Sequence, residues 1–317
     1  MPQSKPAGNK IFNIFGWALT LAGLVYALWG LDYHNLKLAM ARYAYAPFSL
    51  AMVFLLSLAC ILVSGLRKKL MLGGSASLGL ATKATVIGLG YNNILPAKAG
   101  EVIHVGYLAK RLDLPMSALI HLPLWERFAD AHVLVFLAAW VFMVLGESLW
   151  PVAVAAGGLA SLWLGLTFLL DRPQLMNRLV EKLPGRRLKN FAQGFYQAIS
   201  RDFNIAWLAR LLTGTVLIWL SSLALFIYAF IGLADLPLSF SQAAIAWVIL
   251  QGSALLPSSP SSIGVFEAGA ILALGLFNVP HAEALAVALV LHIFLFVIPV
   301  TGALIFRLEK NKPLPRP

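Results

Sequence analysis

Nine titratable side chains lie within or beside long apolar stretches of the chain, where a charged group is costly and is retained mainly for pairing or for function. Such groups could bind a charged head group or carry a proton. Five of them are acidic or basic and four are histidines: Glu101, Glu126, Arg127, Asp130, Glu267, His104, His121, His132 and His292.

One predicted helix carries Arg127 together with two carboxylates, Glu126 and Asp130, which are four residues apart. At this spacing Arg127 can pair with either carboxylate. The arrangement has two interpretations. It is either an internal ion pair that fixes helix packing, or part of a cavity in which Arg127 and Lys98 receive an anionic head group, because guanidinium groups bind phosphate in a bidentate manner.

Two apolar stretches are interrupted by proline in segments that resemble each other, 92–101 and 255–267. Both contain Leu-Pro, then small residues, a Gly and a Glu. In hydrocarbon a broken helix leaves backbone groups unpaired at a cost of several kcal/mol each, so a break indicates surroundings of protein or of a water-filled cavity. A matched pair of breaks predicts a transporter of two repeats with its site between them.

The polar residues of the breaks have a structural and a functional interpretation. Glu101 and Glu267 could cap the following half-helix, which its dipole favours, or could carry a proton or bind a cationic head group. The serines of 258–262, with Asn92 and Asn93, could satisfy the broken backbone or bind an anion at the N-terminus of a half-helix.

The elements that position these residues must be membrane helices. Hydrophobic residues make up 60% of the 317 and charged residues 12%, against about 45–50% and 25% in a soluble domain. We predict an all-α polytopic membrane protein with two re-entrant or broken hairpins and six spans of bilayer length. The spans are 11–31, 47–66, 128–146, 150–170, 205–232 and 283–306. The first is predicted to be a retained anchor, because it is not followed by a cleavage site.

The positions of Lys and Arg predict the topology, because basic residues near span ends stay in the cytoplasm. They collect near the N-terminus, at Arg67-Lys68-Lys69, at Lys110-Arg111, in 171–203 and from Arg307 onward. Both termini are then cytoplasmic, and 78–111 and 240–277 enter the membrane from opposite faces. The prediction is a single membrane domain over 1–317, with inverted repeats at 47–146 and 204–306 and a basic cytoplasmic connector at 171–203.

The net charge of +11 does not indicate nucleic-acid binding, since the basic residues lie at span ends and no binding module is visible. The connector also carries apolar residues at helical spacing. It is therefore predicted to form a helical segment on the anionic inner leaflet.

Several sequence patterns of enzymes are missing from the chain. It contains no Gly-x-x-x-x-Gly-Lys-Ser/Thr loop, no Gly-x-Ser-x-Gly elbow and no His-Glu-x-x-His. Its single Cys60 cannot form an internal disulfide. We expect no enzymatic activity, no cofactor and no metal.

Three motifs in this order resemble the flippase-type transmembrane region of lysylphosphatidylglycerol synthases and its stand-alone relatives. They are Asn-x-x-Leu-Pro-x-x-x-Gly-Glu at 92–101, Glu-Arg-x-x-Asp at 126–130 and Leu-Pro-x-Ser-Pro-x-x-x-Gly-Val-x-Glu at 256–267. The resemblance implies movement of a phospholipid or other lipid-linked anion between the leaflets of a bacterial inner membrane. It implies these site residues: Asn93, Pro96, Gly100, Glu101, Glu126, Arg127, Asp130, Pro257, Ser259, Pro260, Gly264 and Glu267.

The substrate-binding set that we predict adds Lys98, His104 and His292 to those residues. His104 stands where the family tends to have Arg, Phe266 replaces another Arg, and Ser261-Ser262 replaces Gly-Gly. Fewer permanent cations would face the substrate, and a histidine charge would make binding depend on pH. The head group is therefore not expected to be lysylphosphatidylglycerol. Without the soluble domain of the synthases, lipid aminoacylation is not expected either.

Three function classes remain open at this point. The first is a lipid flippase, whose partners are membrane lipids, either anionic phospholipids or lipid-linked intermediates. The second is a carrier of small soluble solutes, which would need a cavity closed to lipid. The third is a non-transporting membrane partner of an enzyme of lipid or envelope-polysaccharide synthesis. A homo-oligomer is compatible with each of them.

Overall fold

The computed structural model describes residues 7–253 and 259–308, and over these ranges its regular elements are helices without any strand. This confirms the all-α class. The α-helices are α1 (Ala7–Leu28), α2 (Tyr33–Ala44), α3 (Pro47–Leu72), α4 (Leu78–Ile94), α5 (Gly100–Leu112), α6 (His121–Leu145), α7 (Trp150–Leu170), α8 (Pro173–Glu181), α9 (Arg186–Asp202), α10 (Ile205–Ile227), α11 (Phe240–Ser253), α12 (Val265–Gly275) and α13 (His281–Leu308).

Five helical segments in the described ranges are long and apolar enough to cross a membrane: Pro47–Ser75, Met116–Leu145, Trp150–Leu170, Ile205–Leu233 and His281–Phe306. They correspond to five of the six predicted spans. The first predicted span falls on α1, which contributes the shorter apolar stretch Gly16–Leu28. The chain is thus an integral multi-pass membrane protein.

Both predicted helix breaks are present. A 3-10 turn, Pro96–Lys98, separates α4 from α5, and a second one, Pro260–Ser262, precedes α12. A proline at the start of each turn removes a backbone donor, which disfavours an uninterrupted helix there. The two turns contact each other. Pro257, predicted as a site residue, lies outside the described residues.

Contacts divide the chain into two compact units. The first comprises Met1–Ile61, Val86–Gly100 and Leu220–Pro317, and the second comprises Leu62–Thr85 and Glu101–Trp219. The helices α3, α4 and α10 therefore contribute to both units. The inverted repeats at 47–146 and 204–306, within a single domain, stay a prediction.

In the first unit α12 packs against α1, α11 and α13, and α2 packs against α13. The contact between α1 and α12 depends on two glycines. A Cβ atom at Gly23 would lie 2.6 Å from the carbonyl carbon of Gly264. Gly264 itself has a φ of +81°, which L residues with a side chain rarely adopt. The backbones can approach this closely only because both positions lack a side chain.

A proline inside α13 explains another contact of the first unit. Pro299 has no N–H, so the carbonyl of Leu295, four residues earlier, loses its helical donor. The side-chain amide of Asn93 donates to that carbonyl at 3.0 Å. Gly90, one helical turn before Asn93, allows the close approach, because a Cβ there would lie 2.4 Å from the Pro299 oxygen. Asn93 thus satisfies a backbone group within the apolar helix.

The second unit has an aromatic core. Trp125 lies at its centre and contacts Phe128, Trp163, Phe203 and Trp207, with ring centroids 5.6–5.9 Å apart. The Trp207 indole donates to the carbonyl of Met71 at 2.9 Å. These rings hold α6, α7, α10 and the end of α3 together.

The connector 171–203 is helical, as predicted, and forms α8 and α9. Its Leu179, Leu188 and Phe191 are exposed, which suits a segment on a membrane surface. In addition, α9 packs on the turn Met116–Ala118. Gly194 permits this contact, since a Cβ there would lie 2.5 Å from the Ser117 hydroxyl oxygen.

Candidate functional site

The second unit contains a group of ionisable side chains that we call the charged cluster. Its members come from three helices: Arg67 and Lys68 from α3, Glu101 and His104 from α5, and Glu126, Arg127 and Asp130 from α6. Two neutral side chains of α10, Thr215 and Trp219, contact them.

The most deeply buried contact of the charged cluster joins Lys68 to Glu126. The ammonium nitrogen lies 2.8 Å from Oε1, and the two side chains are 4% and 6% exposed. The Lys68 nitrogen also lies 3.4 Å from Nε2 of His104. Two charges so far from water are stable only as a pair with further hydrogen bonds, so this contact ties α3 to α6 and α5.

Arg67 forms a second pair, with Asp130. Its Nη1 lies 2.7 Å from Oδ1 and its Nη2 lies 3.4 Å from Oδ2, the bidentate geometry in which guanidinium binds carboxylate. Nη1 also lies 3.4 Å from the Thr215 hydroxyl, and the Trp219 indole donates to Asp130 at 3.2 Å. Because several groups fix both partners, Arg67 is held rigidly.

Arg127 differs from the other two cations in its exposure. Its Nη2 donates to Glu101 at 2.8 Å, and its Nη1 lies 3.6 Å from Asp130, yet its side chain is 54% exposed. Glu101 is in turn 3.6 Å from Nδ1 of His104. Arg127 is therefore the cation of the charged cluster that an incoming group can reach without disrupting buried contacts.

The cluster contains three permanent cations, Arg67, Lys68 and Arg127, and three carboxylates, Glu101, Glu126 and Asp130. The net charge of the cluster is therefore zero when these groups are charged and His104 is neutral. A phosphate that took the place of Glu101 on Arg127 could bind the guanidinium in a bidentate manner. Such an exchange would leave the two buried pairs, Lys68–Glu126 and Arg67–Asp130, intact.

The sequence predicted part of this network. Arg127 does pair with Asp130, in agreement with the internal ion pair, but the short contact of Glu126 is with Lys68. In the sequence, Arg67 and Lys68 indicate only a cytoplasmic span end. Instead, α3 continues past them to Leu72 and both are buried. Two features of the sequence could have indicated this burial. Apolar residues 70–72 follow the basic run, so the helix can continue, and α6 carries two carboxylates but only one cation, Arg127.

The first unit contains the second break and its polar side chains. Glu267 accepts a hydrogen bond from the Gly264 N–H at 2.7 Å and so caps α12, as one interpretation predicted. Its other oxygen is hydrogen-bonded to Nδ1 of His292, and Nε2 of His292 lies 2.9 Å from the Ser261 hydroxyl. The sequence did not indicate that these three side chains form a chain of hydrogen bonds.

The structure distributes the remaining predicted site residues as follows. Ser259 donates its N–H to the Thr20 hydroxyl at 3.0 Å. Gly100 is buried, and a Cβ there would lie 2.1 Å from the Gly88 oxygen, so that α5 begins directly against α4. Lys98 is exposed and has a φ of +51°.

The predicted residues thus fall into two sets. Glu101, His104, Glu126, Arg127 and Asp130 meet in the charged cluster of the second unit. The other described members lie in the first unit, around the two breaks: Asn93, Pro96, Lys98, Gly100, Ser259, Pro260, Gly264, Glu267 and His292.

A further contact fixes the end of the connector. Nε2 of the buried His121 lies 2.9 Å from Asp202, which also accepts from Arg201 at 2.7 Å. Burial raises the pKa of Asp202, but the hydrogen bonds from His121 and Arg201 outweigh burial and leave this pKa below its ordinary value. Asp202 is therefore a carboxylate at neutral pH.

Comparison with protein families gives a match over most of the chain. The model of the lysylphosphatidylglycerol synthase TM region matches residues 13–303, which include both breaks and the whole charged cluster. A comparison with curated proteins gave no significant match. The matched residues make up nearly the whole chain, and the chain therefore belongs to the family of the lysylphosphatidylglycerol synthase transmembrane region.

Proposed function

We propose that this protein moves an anionic phospholipid, or another lipid-linked anion, between the leaflets of a bacterial inner membrane. Family membership supports a role in lipid handling. The two broken helices support a transporter, because an irregular backbone at membrane depth is tolerated where it lines a cavity. Its partners are then membrane lipids, and both termini face the cytoplasm.

The observation that carries the proposal is the half-exposed Arg127 beside two buried ion pairs. A permanent cation within an apolar helix is costly unless it serves a charged ligand or a partner. Arg67 and Lys68 are committed to buried carboxylates, whereas Arg127 can exchange Glu101 for a phosphate. The buried pairs would fix the helices that carry Arg127, and Glu101 would hold its guanidinium in position between substrates.

Translocation in this scheme is a binding event followed by a conformational change. The phosphate of the lipid would bind Arg127 while its acyl chains stay in the hydrocarbon, so that the charged group is never left unpaired at membrane depth. No covalent step is required.

Lipid movement in reconstituted vesicles tests the proposal. The purified protein is placed in vesicles that contain trace phospholipid with a fluorophore on an acyl chain, and a membrane-impermeant reductant quenches the outer leaflet. We expect more than half of an anionic phosphatidylglycerol probe to become accessible, and a zwitterionic phosphatidylcholine probe to be moved more slowly. Quenching that stops at one half in vesicles of folded protein would contradict the proposal and favour a non-transporting partner.

A further inference from the structure

Ser261, His292 and Glu267 stand in the order of a hydrolase triad. The Ser261 oxygen lies 2.9 Å from Nε2 of His292, and Nδ1 of the same ring is hydrogen-bonded to Glu267. A carboxylate can only accept, so Nδ1 carries the proton. When the ring is neutral, Nε2 is an acceptor to which Ser261 can donate. We propose that Ser261 is a nucleophile that takes the acyl group of a carboxylic ester.

The backbone of Ser261 supports this assignment independently. Ser261 has a φ of 60° and a ψ of 5° within the turn Pro260–Ser262. A non-glycine residue adopts the left-handed region only at an energetic cost, and such residues cluster at functional sites. The strained turn holds the hydroxyl toward His292, a residue well inside the apolar helix α13.

The partners of Ser261 are themselves fixed. Glu267 uses one oxygen for His292 and the other for the Gly264 N–H at 2.7 Å, so its carboxylate cannot rotate freely. Glu267 is buried, whereas Ser261 is only half-buried. The orienting carboxylate is thus shielded, while a small electrophile can reach the nucleophile.

The reaction follows from these positions. Ser261 Oγ forms a bond to the carbonyl carbon of the ester as its proton moves to Nε2 of His292. The bond from that carbon to the alcohol oxygen then breaks, and the alcohol takes the proton from His292. Water releases the acyl group in the same way, with His292 accepting its proton, and the products are a carboxylic acid and free Ser261.

We expect the reaction to be slow. Two nearby N–H groups are already used, that of Ser262 by the carbonyl of Ser259 at 2.9 Å and that of Gly264 by Glu267. They cannot stabilise an oxyanion, and a missing oxyanion donor typically costs about 10²–10³ in rate. The experiment therefore measures a stoichiometric adduct rather than turnover.

The three residues form no linear sequence motif, because they are separated by 6 and 25 positions along the chain. The absence of motifs such as Gly-x-Ser-x-Gly therefore does not exclude this reaction. A small ester or phosphonate needs no lipid movement to reach Ser261, so covalent labelling of Ser261 is independent of the transport assay.

Covalent labelling of the full-length protein in detergent tests the proposal. A fluorophosphonate, whose fluoride Ser261 would displace, is incubated with the wild type, and the adduct is located by peptide mass spectrometry. We expect one adduct per chain, on Ser261, and butyryl transfer from p-nitrophenyl butyrate to the same residue. Glu267→Gln keeps an acceptor for Gly264 but should lower the labelling rate at least tenfold, as should His292→Gln.

The matched control is Ser262→Ala, since Ser262 is the neighbouring serine and has a similar φ of 58°. It should label like the wild type, whereas Ser261→Ala should not label. The proposal is overturned if the wild type stays unlabelled under conditions that label a soluble serine hydrolase added to the same sample. An adduct that maps to another residue also overturns it. Neither result depends on whether a variant folds.

Discussion

Lys68 and Glu126 form a buried ion pair between two helices, with Nζ and Oε1 2.8 Å apart and side chains that are 4% and 6% exposed. The two residues are 58 positions apart in the chain. Desolvation offsets much of the attraction within such a pair, whereas loss of one partner leaves a charge buried alone. The pair therefore positions α3 against α6 more than it adds net stability.

The Lys68–Glu126 pair predicts that loss of one partner destabilises the protein more than replacement of both. Lys68→Ala should lower the free energy of unfolding by about 3 to 5 kcal/mol, because Glu126 would remain buried and charged. The double variant Lys68→Met, Glu126→Gln should recover most of that loss. Thermal unfolding in detergent measures both. Lys69→Ala, at the neighbouring and less buried position, is the control, and equal losses in Lys68→Ala and Lys69→Ala would contradict the assignment.

Asn93 is predicted to stabilise the protein through the Leu295 carbonyl. Asn93→Ala leaves that carbonyl without its donor and should cost about 1 to 3 kcal/mol. Pro299→Ala supplies a backbone N–H to the same carbonyl, so the two substitutions should be strongly non-additive. Unfolding of the two single variants and the double variant measures the coupling. If the effects simply add, Asn93 does not act through Leu295.

The close approach of α1 and α12 predicts a large effect of a single methyl group. Gly23→Ala places a Cβ 2.6 Å from the Gly264 carbonyl carbon, so the helices must separate, at a cost of about 1 to 3 kcal/mol. Gly157→Ala in α7 is the control, because a Cβ there meets no atom within 4 Å. Thermal midpoints of the two variants should differ by several degrees, with Gly157→Ala at or above the wild type.

The contact between His121 and Asp202 predicts a dependence of stability on pH. Since the pKa of Asp202 is lowered in the folded protein, its contribution is present above the ordinary carboxyl pKa of about 3.9 and is lost as the pH falls through the folded value. Asp202→Asn should therefore lower the thermal midpoint at pH 5 and above, and by less below pH 4. The exposed Asp171→Asn is the control, and a deficit that grows in acid would refute the assignment.

The elements of this fold were largely predictable, because they depend on local physics. A run of about 20 apolar residues is long enough to span a bilayer, and a proline followed by small residues and a glycine favours a break in a helix, as at Pro96 and Pro260. The capping role of Glu267 follows from its place three residues after Gly264. These predictions need no knowledge of which helices are neighbours.

The contacts of the charged cluster were not predictable in the same way. Arg67 and Lys68 look like any basic pair at a span end, and only packing brings them to Asp130 and Glu126 on another helix. Likewise, the pattern of the chain does not place His292 beside Ser261. The sequence leaves open whether Asn93 satisfies broken backbone or binds an anion, and it does not indicate the carbonyl that a proline 206 positions later leaves without a donor.

The central claim, that Arg127 receives the lipid phosphate, is tested most directly by the translocation rate of a fluorescent phosphatidylglycerol in vesicles with Arg127→Ala. Arg42→Ala is the matched control, because Arg42 is 56% exposed and also forms a 2.9 Å ion pair, with Glu283. We predict that Arg127→Ala folds with a yield like that of Arg42→Ala but translocates at least about tenfold more slowly, since a hydrogen bond to a charged group contributes about 1.5 to 3 kcal/mol. A rate that matches Arg42→Ala, or that falls only in proportion to folded yield, would contradict the claim.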